Sequence, residues 1–328
     1  MRRVFSGTAP SGRLTLGNYL GAVKHWVAGQ HETESLFCVV DLHALTAEHD
    51  PRLVRDRTRE IAGLLLAAGL DPHACTIFVQ SHVAAHTQLT WLLESTVYDG
   101  ELRRMIQYRE KARKQGRRVR ASLLTYPALM AADILLYDVA EVPVGEDQRQ
   151  HVELARDLAL RFNKRYGQTF VVPQVVLPDV AARVMDLSEP SRKMDKSAPE
   201  DAPGVIFLLD SPEAVRHKIM RAVTDTYNAV RYDPVAQPGI SNLLVILAAC
   251  LGEPPAKLAE RYSSYRALKS DTAEAVIETL RPLQAEYRQV MAEPAALAAV
   301  LRAGAEHAAT LAGPTLRSAQ EAIGLLPP

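Results

Sequence analysis

The sequence predicts an α/β fold: a parallel sheet flanked by helices, followed by a second part built from helices alone. Three observations carry that prediction. Apolar runs of strand character at residues 3–7, 35–41 and 75–80 alternate with helical patterns at 16–30 and 51–69, which is the spacing of βαβ units. Beyond about Ser211 nearly every stretch has a helical pattern. The composition, 48% hydrophobic but only 6% aromatic, suits an Ala/Leu-rich, mostly helical enzyme of this class.

The first strand runs into a loop of small residues, Gly7-Thr8-Ala9-Pro10-Ser11-Gly12, ahead of a helix near Leu16. Such an order presents backbone N–H groups and a helix dipole to a phosphate. Neither GxGxxG nor GxxxxGK[ST] occurs there, and an ordinary strand-to-helix turn would look the same. The helix at 51–69 is framed by Asp50 as a cap, Pro51 at its first position and Gly69 at its end. Ligands of parallel sheets sit beyond the carboxyl ends of the strands, so the opening loop stands where a site belongs. Residues 84–137 are mainly helical around a basic segment, 141–145 return to strand, and 147–166 form a long charged helix. A further extended stretch is expected at 169–176. Residues 179–204, rich in Pro, Ser and charge, read as a functional loop or hinge. The helical part is expected at 212–223, 239–251, 255–262, 271–290, 293–311 and 314–323. Two domains follow, 1–200 for the nucleotide and 201–328 all helical.

Lys plus Arg and Asp plus Glu each number 38, which excludes a broadly basic nucleic-acid binder but leaves room for a local basic patch. Three scattered cysteines, Cys38, Cys75 and Cys250, suggest free thiols in a reducing compartment. The N-terminus lacks the apolar run of a signal peptide, and no window resembles a membrane span. A soluble, cytoplasmic protein without a membrane partner is expected.

Several constellations suit chemistry. Residues 123–137 are apolar around most of a helix and yet carry Asp133. A buried carboxylate costs several kcal/mol unless it is paired. Met130 lies on the same helical face, three residues earlier. A thioether beside an acceptor suits a flat apolar ligand with one N–H donor, such as an indole; a structural Asp paired with a basic group or a helix end is the other reading. In Val142-Pro143-Val144-Gly145-Glu146-Asp147-Gln148, a strand ends in glycine ahead of acidic and amide residues. Glu146 and Asp147 either stabilise a helix start or, with Gly145 admitting the ligand, take ribose hydroxyls.

Lys193-Met194-Asp195-Lys196-Ser197 offers two lysines three apart, either a polyphosphate clamp or a solvated loop. Residues 111–120 carry six basic side chains in ten, a phosphate contact or another solvated loop. His82 and His86 are spaced like metal ligands but lack a third, so no metal site is expected. No grouping suggests a covalent nucleophile.

In this order the segments resemble the bacterial-type tryptophanyl-tRNA synthetase family of class I aminoacyl-tRNA synthetases, over almost the whole chain. Thr15-Leu16-Gly17-Asn18 resembles the "HIGH" signature, 126–134 the YPxLMAADI helix, 145–148 the GxDQ motif and 193–197 the KMSKS loop. Pro238-Gly239-Ile240-Ser241-Asn242-Leu243-Leu244 resembles the family's helical-domain signature.

The resemblance implies a Rossmann-like catalytic domain and a C-terminal helical domain that reads the anticodon. It also implies ATP–Mg²⁺, L-tryptophan and tRNA(Trp) as ligands, and a homodimer. Ala9, Pro10, Ser11, Gly17 and Asn18 would line the ATP site. Gly145, Glu146 and Asp147 would hold adenosine, with Val184 near the base. Lys193, Met194, Asp195, Lys196 and Ser197 would close over the pyrophosphate, with Lys111 nearby. Asp133 would accept the indole N–H in a slot shaped by Phe5, Gly7, Met130, Val142 and Val144, with His43 facing it. Tyr126 and Gln148 would take the amino group.

The sequence departs from the family pattern at Ala9, where glutamine is usual, and at Asp195, where serine is usual. These departures keep open a regulatory paralogue with weak charging activity. Tyrosine specificity is the other alternative, but Met130 stands where that relative carries glutamine.

Overall fold

The computed structural model describes residues 2–176 and 183–326. β1 (Arg3–Thr8), β2 (Glu34–Val39) and β3 (Thr76–Val79) form a parallel sheet in the order β1-β2-β3, with Phe5 opposite Leu36 and Leu36 opposite Thr76. Alternation along the strands loads both faces. Phe37, Val39 and Ile77 enter one core with Leu16, Leu20 and Leu64, while Leu36, Cys38 and Phe78 enter another with Phe5, Leu89 and Ala132. Burial on both sides explains why these strands read as continuous apolar runs.

Between β1 and β2 the expected single helix is divided. It consists of α1 (Leu16–Asn18), a π-helical turn (Tyr19–Val23) and α2 (Lys24–Gly29). Wide turns of this kind recur at functional sites. Between β2 and β3 lie α3 (Asp41–Ala44) and α4 (Pro51–Ala67). The Asp50 carboxylate caps α4 by accepting from Arg52 N, and Gly69 takes φ +107° just beyond it, as its sequence signals require.

Helices α5 (Ala85–Glu94), α6 (Asp99–Arg104), α7 (Ile106–Gln115) and α8 (Ala121–Leu135) follow. The basic segment therefore falls on the end of α7 and the turn after it. β4 (Glu141–Pro143) and β5 (Gln174–Val176) form a second parallel ladder beside β1, with α9 (Arg149–Tyr166) between them. α9 starts two residues later than predicted because Glu146–Gln148 makes a 3₁₀ turn first. Residues 179–182 of the predicted hinge lie outside the described residues.

The rest is helical: α10 (Pro212–Met220), α11 (Pro238–Leu251), α12 (Pro255–Ala259), α13 (Tyr265–Ala292) and α14 (Pro294–Ala322). α13 begins six residues before its predicted start, capped where the Ser264 hydroxyl accepts from Ala267 N at 3.3 Å. The helices expected at 293–311 and 314–323 are one, with Pro314 inside it. Ala305, Ala308, Ala312, Leu316 and Ala319 bury one face of α14 in the core that contains Phe78 and Leu89, and this packing outweighs the backbone bond that proline removes. α14 thus lies across β3 and α5, so closely that a Cβ on Gly304 would stand 2.0 Å from the Ile77 carbonyl oxygen. No helix among the described residues is long and apolar enough to cross a membrane, and all three cysteines are free.

Candidate active site

The site begins where β1 ends. Phe5 is buried and stacks on Tyr137, ring centres 5.6 Å apart and 10° from parallel. A Cβ on Gly7 would come within 2.9 Å of Val40 Cγ1, so glycine keeps this edge open. Pro10 is buried, while Ser11 is exposed. Thr15 and Asn18 then cap each other: Asn18 Oδ1 accepts from Thr15 N and from the Thr15 hydroxyl, both at 3.0 Å, and Asn18 N donates back to the hydroxyl. The Asn18 amide oxygen is therefore engaged in fixing the helix start.

Asp133, 2% exposed on α8, is the centre of a polar network inside an apolar shell. Its Oδ1 accepts from Gln80 Nε2 and from His86 Nδ1, both at 2.7 Å, and its Oδ2 accepts from His43 Nε2 at 2.9 Å. His86 Nε2 pairs with the Tyr137 hydroxyl at 2.8 Å. Burial alone would push the carboxyl up, but the hydrogen bonds from His43 and His86 hold it well below the usual carboxylate range. Asp133 is an ionised acceptor, then, and not the lone one that its apolar helix suggests. Oδ1 is filled by two donors, whereas Oδ2 accepts from one and has capacity for another. Met130 is half-buried one turn before it.

His43 meets the Tyr126 ring edge-on at 6.1 Å, and the Tyr126 hydroxyl pairs with His151 Nε2 at 2.7 Å. Lys111 Nζ stands over the Tyr126 ring, 4.9 Å from its centre. Beside them β4 delivers Val142, buried, and Val144, half-buried, to the strand end. There the Gly145 carbonyl accepts from Gln148 N at 2.9 Å. Gln148 Nε2 donates to Asp147 Oδ2 at 2.8 Å, and the exposed Glu146 pairs with Arg149 at 3.5 Å. Glu146 thus reaches the first residue of α9, while Asp147 is exposed beside Gly145.

The Lys193–Ser197 segment leaves a short hairpin at Lys193 and ends in a turn at Lys196 and Ser197. Met185 bridges Lys193 in antiparallel fashion, Met194 N donates to the Val184 carbonyl at 3.2 Å, and Asp186 N to the Arg192 carbonyl at 2.8 Å. Val184 and Met194 are buried against Gly17. Lys196 Nζ donates to the Ala9 carbonyl at 2.9 Å, and a Cβ on Gly12 would stand 2.0 Å from the Lys196 carbonyl oxygen. Burial, with Lys111 adding repulsion, pushes the Lys196 ammonium down to about 8. The Asp195 carboxylate accepts from Ser197 N at 2.8 Å, so it closes its own turn. From α11 the Asn242 amide clamps Met185: Oδ1 accepts from Met185 N at 2.8 Å and Nδ2 donates to the Met185 carbonyl at 3.0 Å.

Two neighbouring clusters result, one a polar network around Asp133 in an apolar shell and one cationic around Lys111 and Lys196. Residues 1–281 match the family model for class I tRNA synthetases (W and Y). The chain belongs to this family. It is 60% identical to tryptophan–tRNA ligase 1 of Streptomyces coelicolor, across all of this chain and 98% of that one. The tryptophanyl-tRNA synthetase of Mycoplasma pneumoniae has the same fold, with a TM-score of 0.91 at 36% identity over 99% of this chain and 98% of that one. The Campylobacter jejuni enzyme, solved with ADP and tryptophan, follows at 0.84 and 32% identity over 98% of this chain and 100% of that one.

Within this class I architecture, Gln80, His86, Tyr137 and His151 are the polar partners that sequence reasoning missed. Gln80 follows β3, and strand ends hold ligands in parallel sheets, so position was the available signal. Spacing alone pairs His86 with His82 as candidate metal ligands. The His86 ring nitrogens are instead committed to Asp133 and Tyr137. Nothing in the pattern of α9 singles out His151.

Proposed function

We propose that this chain is a tryptophan–tRNA ligase, activating L-tryptophan with ATP and transferring the tryptophanyl group to the terminal ribose of its tRNA. One observation carries the amino-acid choice: an ionised, buried Asp133 with spare capacity on Oδ2, next to the Met130 thioether. An indole N–H is donor-only and fits that acceptor. A phenol hydroxyl would also need a polar partner, which Met130 does not supply. Phenylalanine brings no donor to the spare capacity of Oδ2 and is rejected for that reason.

Phe5, Gly7, His43, Val142 and Val144 complete the slot, and Tyr126 and Gln148 take the α-amino group. Ala9, Pro10, Ser11, Gly17 and Asn18 line the nucleotide, with Gly145, Glu146 and Asp147 on adenosine and Val184 by the base. Lys111, Lys193 and Lys196 face the departing pyrophosphate, with Met194, Asp195 and Ser197 shaping the loop that carries two of them. The tryptophan carboxylate attacks the α-phosphorus, the bond to the bridging oxygen breaks, and pyrophosphate leaves. Positioning and cationic stabilisation suffice, so no covalent nucleophile is needed.

Among the described residues no three His, Cys, Asp or Glu side chains converge as a metal set. The cationic groups at the loop, Lys193 and Lys196 with Lys111 nearby, are ammonium ions, which suits phosphates that bring Mg²⁺ with them. Mg²⁺ entering with ATP would supply charge neutralisation on the leaving group. Residues 1–200 carry this chemistry and 201–328 the anticodon contacts, in a cytoplasmic homodimer. Trp91, Tyr98 and Ile106, exposed on or beside α5–α7, are apolar surface that a dimer would use. Light scattering measures that association.

ATP–pyrophosphate exchange with tryptophan, tyrosine and phenylalanine tests the reading. Exchange is expected with tryptophan alone. Exchange with tyrosine instead would transfer the assignment to the tyrosine enzymes of the family.

A further inference from the structure

His151 is 1% exposed on α9, and its Nδ1 is buried without a hydrogen-bond partner. A polar atom left in that state calls for an explanation, because it costs stability. Its other nitrogen, Nε2, sits 2.7 Å from the Tyr126 hydroxyl. Burial, with Lys111 and His43 adding repulsion, pushes the imidazole down to about 4, so it is neutral at physiological pH and carries one proton. Burial likewise pushes the Tyr126 phenol up, so that hydroxyl keeps its proton.

Two arrangements of these two protons are available. If Nε2 carries the ring proton and donates to Tyr126, the phenol proton points away from His151 and meets no acceptor among the described residues. If Nδ1 carries the ring proton, the phenol donates to Nε2, and the proton without an acceptor is then the one on the buried Nδ1. The Tyr126 oxygen then offers only lone pairs. In that state a protonated α-amine meets an oxygen with no competing donor and with its own proton turned away.

We propose that His151 is a positioning residue that fixes the Tyr126 hydroxyl as an acceptor for the ammonium group of the amino-acid substrate. This rests on the reading that Tyr126 holds the α-amino group. His151 touches no substrate atom and acts through Tyr126 alone. Its placement also extends one polar chain across the slot, from Asp133 through His43, past Tyr126, to His151.

The test uses the full-length enzyme in ATP–pyrophosphate exchange. It compares L-tryptophan with two competitive inhibitors: tryptamine, which keeps the amine, and indole-3-propionate, which lacks it. His151→Phe should raise KM for tryptophan and Ki for tryptamine about tenfold, the loss expected of one hydrogen bond to a charged group. Ki for indole-3-propionate should stay within about twofold by the same reasoning. His151→Gln, which returns a polar group near Nε2, should recover part of the loss and serves if the Phe variant folds poorly.

In a Tyr126→Phe background neither change should have further effect. Equal weakening of all three ligands, or a full His151 effect without the Tyr126 hydroxyl, would overturn the proposal. If Tyr126→Phe itself weakens tryptamine and indole-3-propionate alike, the amino-group reading of Tyr126 falls as well.

Discussion

The Lys196 ammonium donates to the main-chain carbonyl of Ala9 across 2.9 Å, joining the opening loop to the hairpin at one position where the chain departs from its family pattern and next to the other, Asp195. The contact uses backbone, so the side chain at position 9 can change without breaking it. Ala9→Gln restores an amide within reach of the phosphates and should lower KM for ATP by two- to tenfold, the range of one neutral hydrogen bond of about 1 kcal/mol. KM for tryptophan should not move. An unchanged KM for ATP in pyrophosphate exchange would show that the amide does not reach the nucleotide.

Lys196 sets a pH limit. Its ammonium, pushed down to about 8 by burial and by Lys111, loses its charge in the free enzyme as pH rises through that value. Because kcat/KM reports free-enzyme ionisations, kcat/KM for ATP should fall above about pH 8. Lys196→Arg should move the fall upward, since guanidinium stays charged. Lys196→Ala should slow adenylate formation by about 10²-fold or more while sparing tryptophan affinity, as expected of a contact made in the transition state. Equal losses in both would mean that Lys196 acts on the ground state.

Asp133 serves stability as well as recognition. Asp133→Ala strands donors from Gln80, His43 and His86 in the core and should cost about 3–5 kcal/mol of folding stability. Asp133→Asn keeps a carbonyl and is the variant for kinetics, with KM for tryptophan expected to rise about 10–100-fold. The folded carboxyl lies below its unfolded value, so its stabilisation is full above about pH 4 and is lost as pH falls further. Acid unfolding curves of Asp133→Asn should lack that part of the slope.

Local signals account for what the sequence made legible. Asp50-Pro51 and Gly69 bounded α4, and the apolar runs at β1, β2 and β3 alternated with helices as βαβ units do. The unity of α14 across Pro314 was not legible, because the packing that overrides the proline comes from β3 and α5, more than 200 residues away in sequence. The site divides in the same way. Asp133 stood out because a carboxylate breaks an apolar helix, and Lys193 and Lys196 because of their spacing. The donors that fill Asp133 come from three other segments, so no local pattern could count them. Asp195 gave a charge but not a direction, and only the backbone shows it accepting from Ser197 N.

Asn242 links the helical part to the hairpin that carries the lysines. Its amide holds both the N–H and the carbonyl of Met185, and Met185 bridges Lys193 across the hairpin. Asn242 is buried on α11, which also carries Gly239, where a Cβ would stand 2.1 Å from the Val223 carbonyl oxygen, so the helix has little freedom to shift. Asn242→Ala removes two hydrogen bonds from the hairpin and touches neither the Asp133 network nor Tyr126. Loss of hairpin position should lower kcat for adenylate formation about tenfold, because lysines held an ångström off stabilise the leaving group poorly. KM for tryptophan should stay within about twofold, since the slot keeps every contact. Asn242→Asp keeps the acceptor for Met185 N but sets a carboxylate against the Met185 carbonyl, so its kcat should fall at least as far. Single-turnover adenylation with both variants gives the measurement. A tryptophan KM that rises in step with the fall in kcat would mean that the clamp supports the whole site and not the hairpin alone.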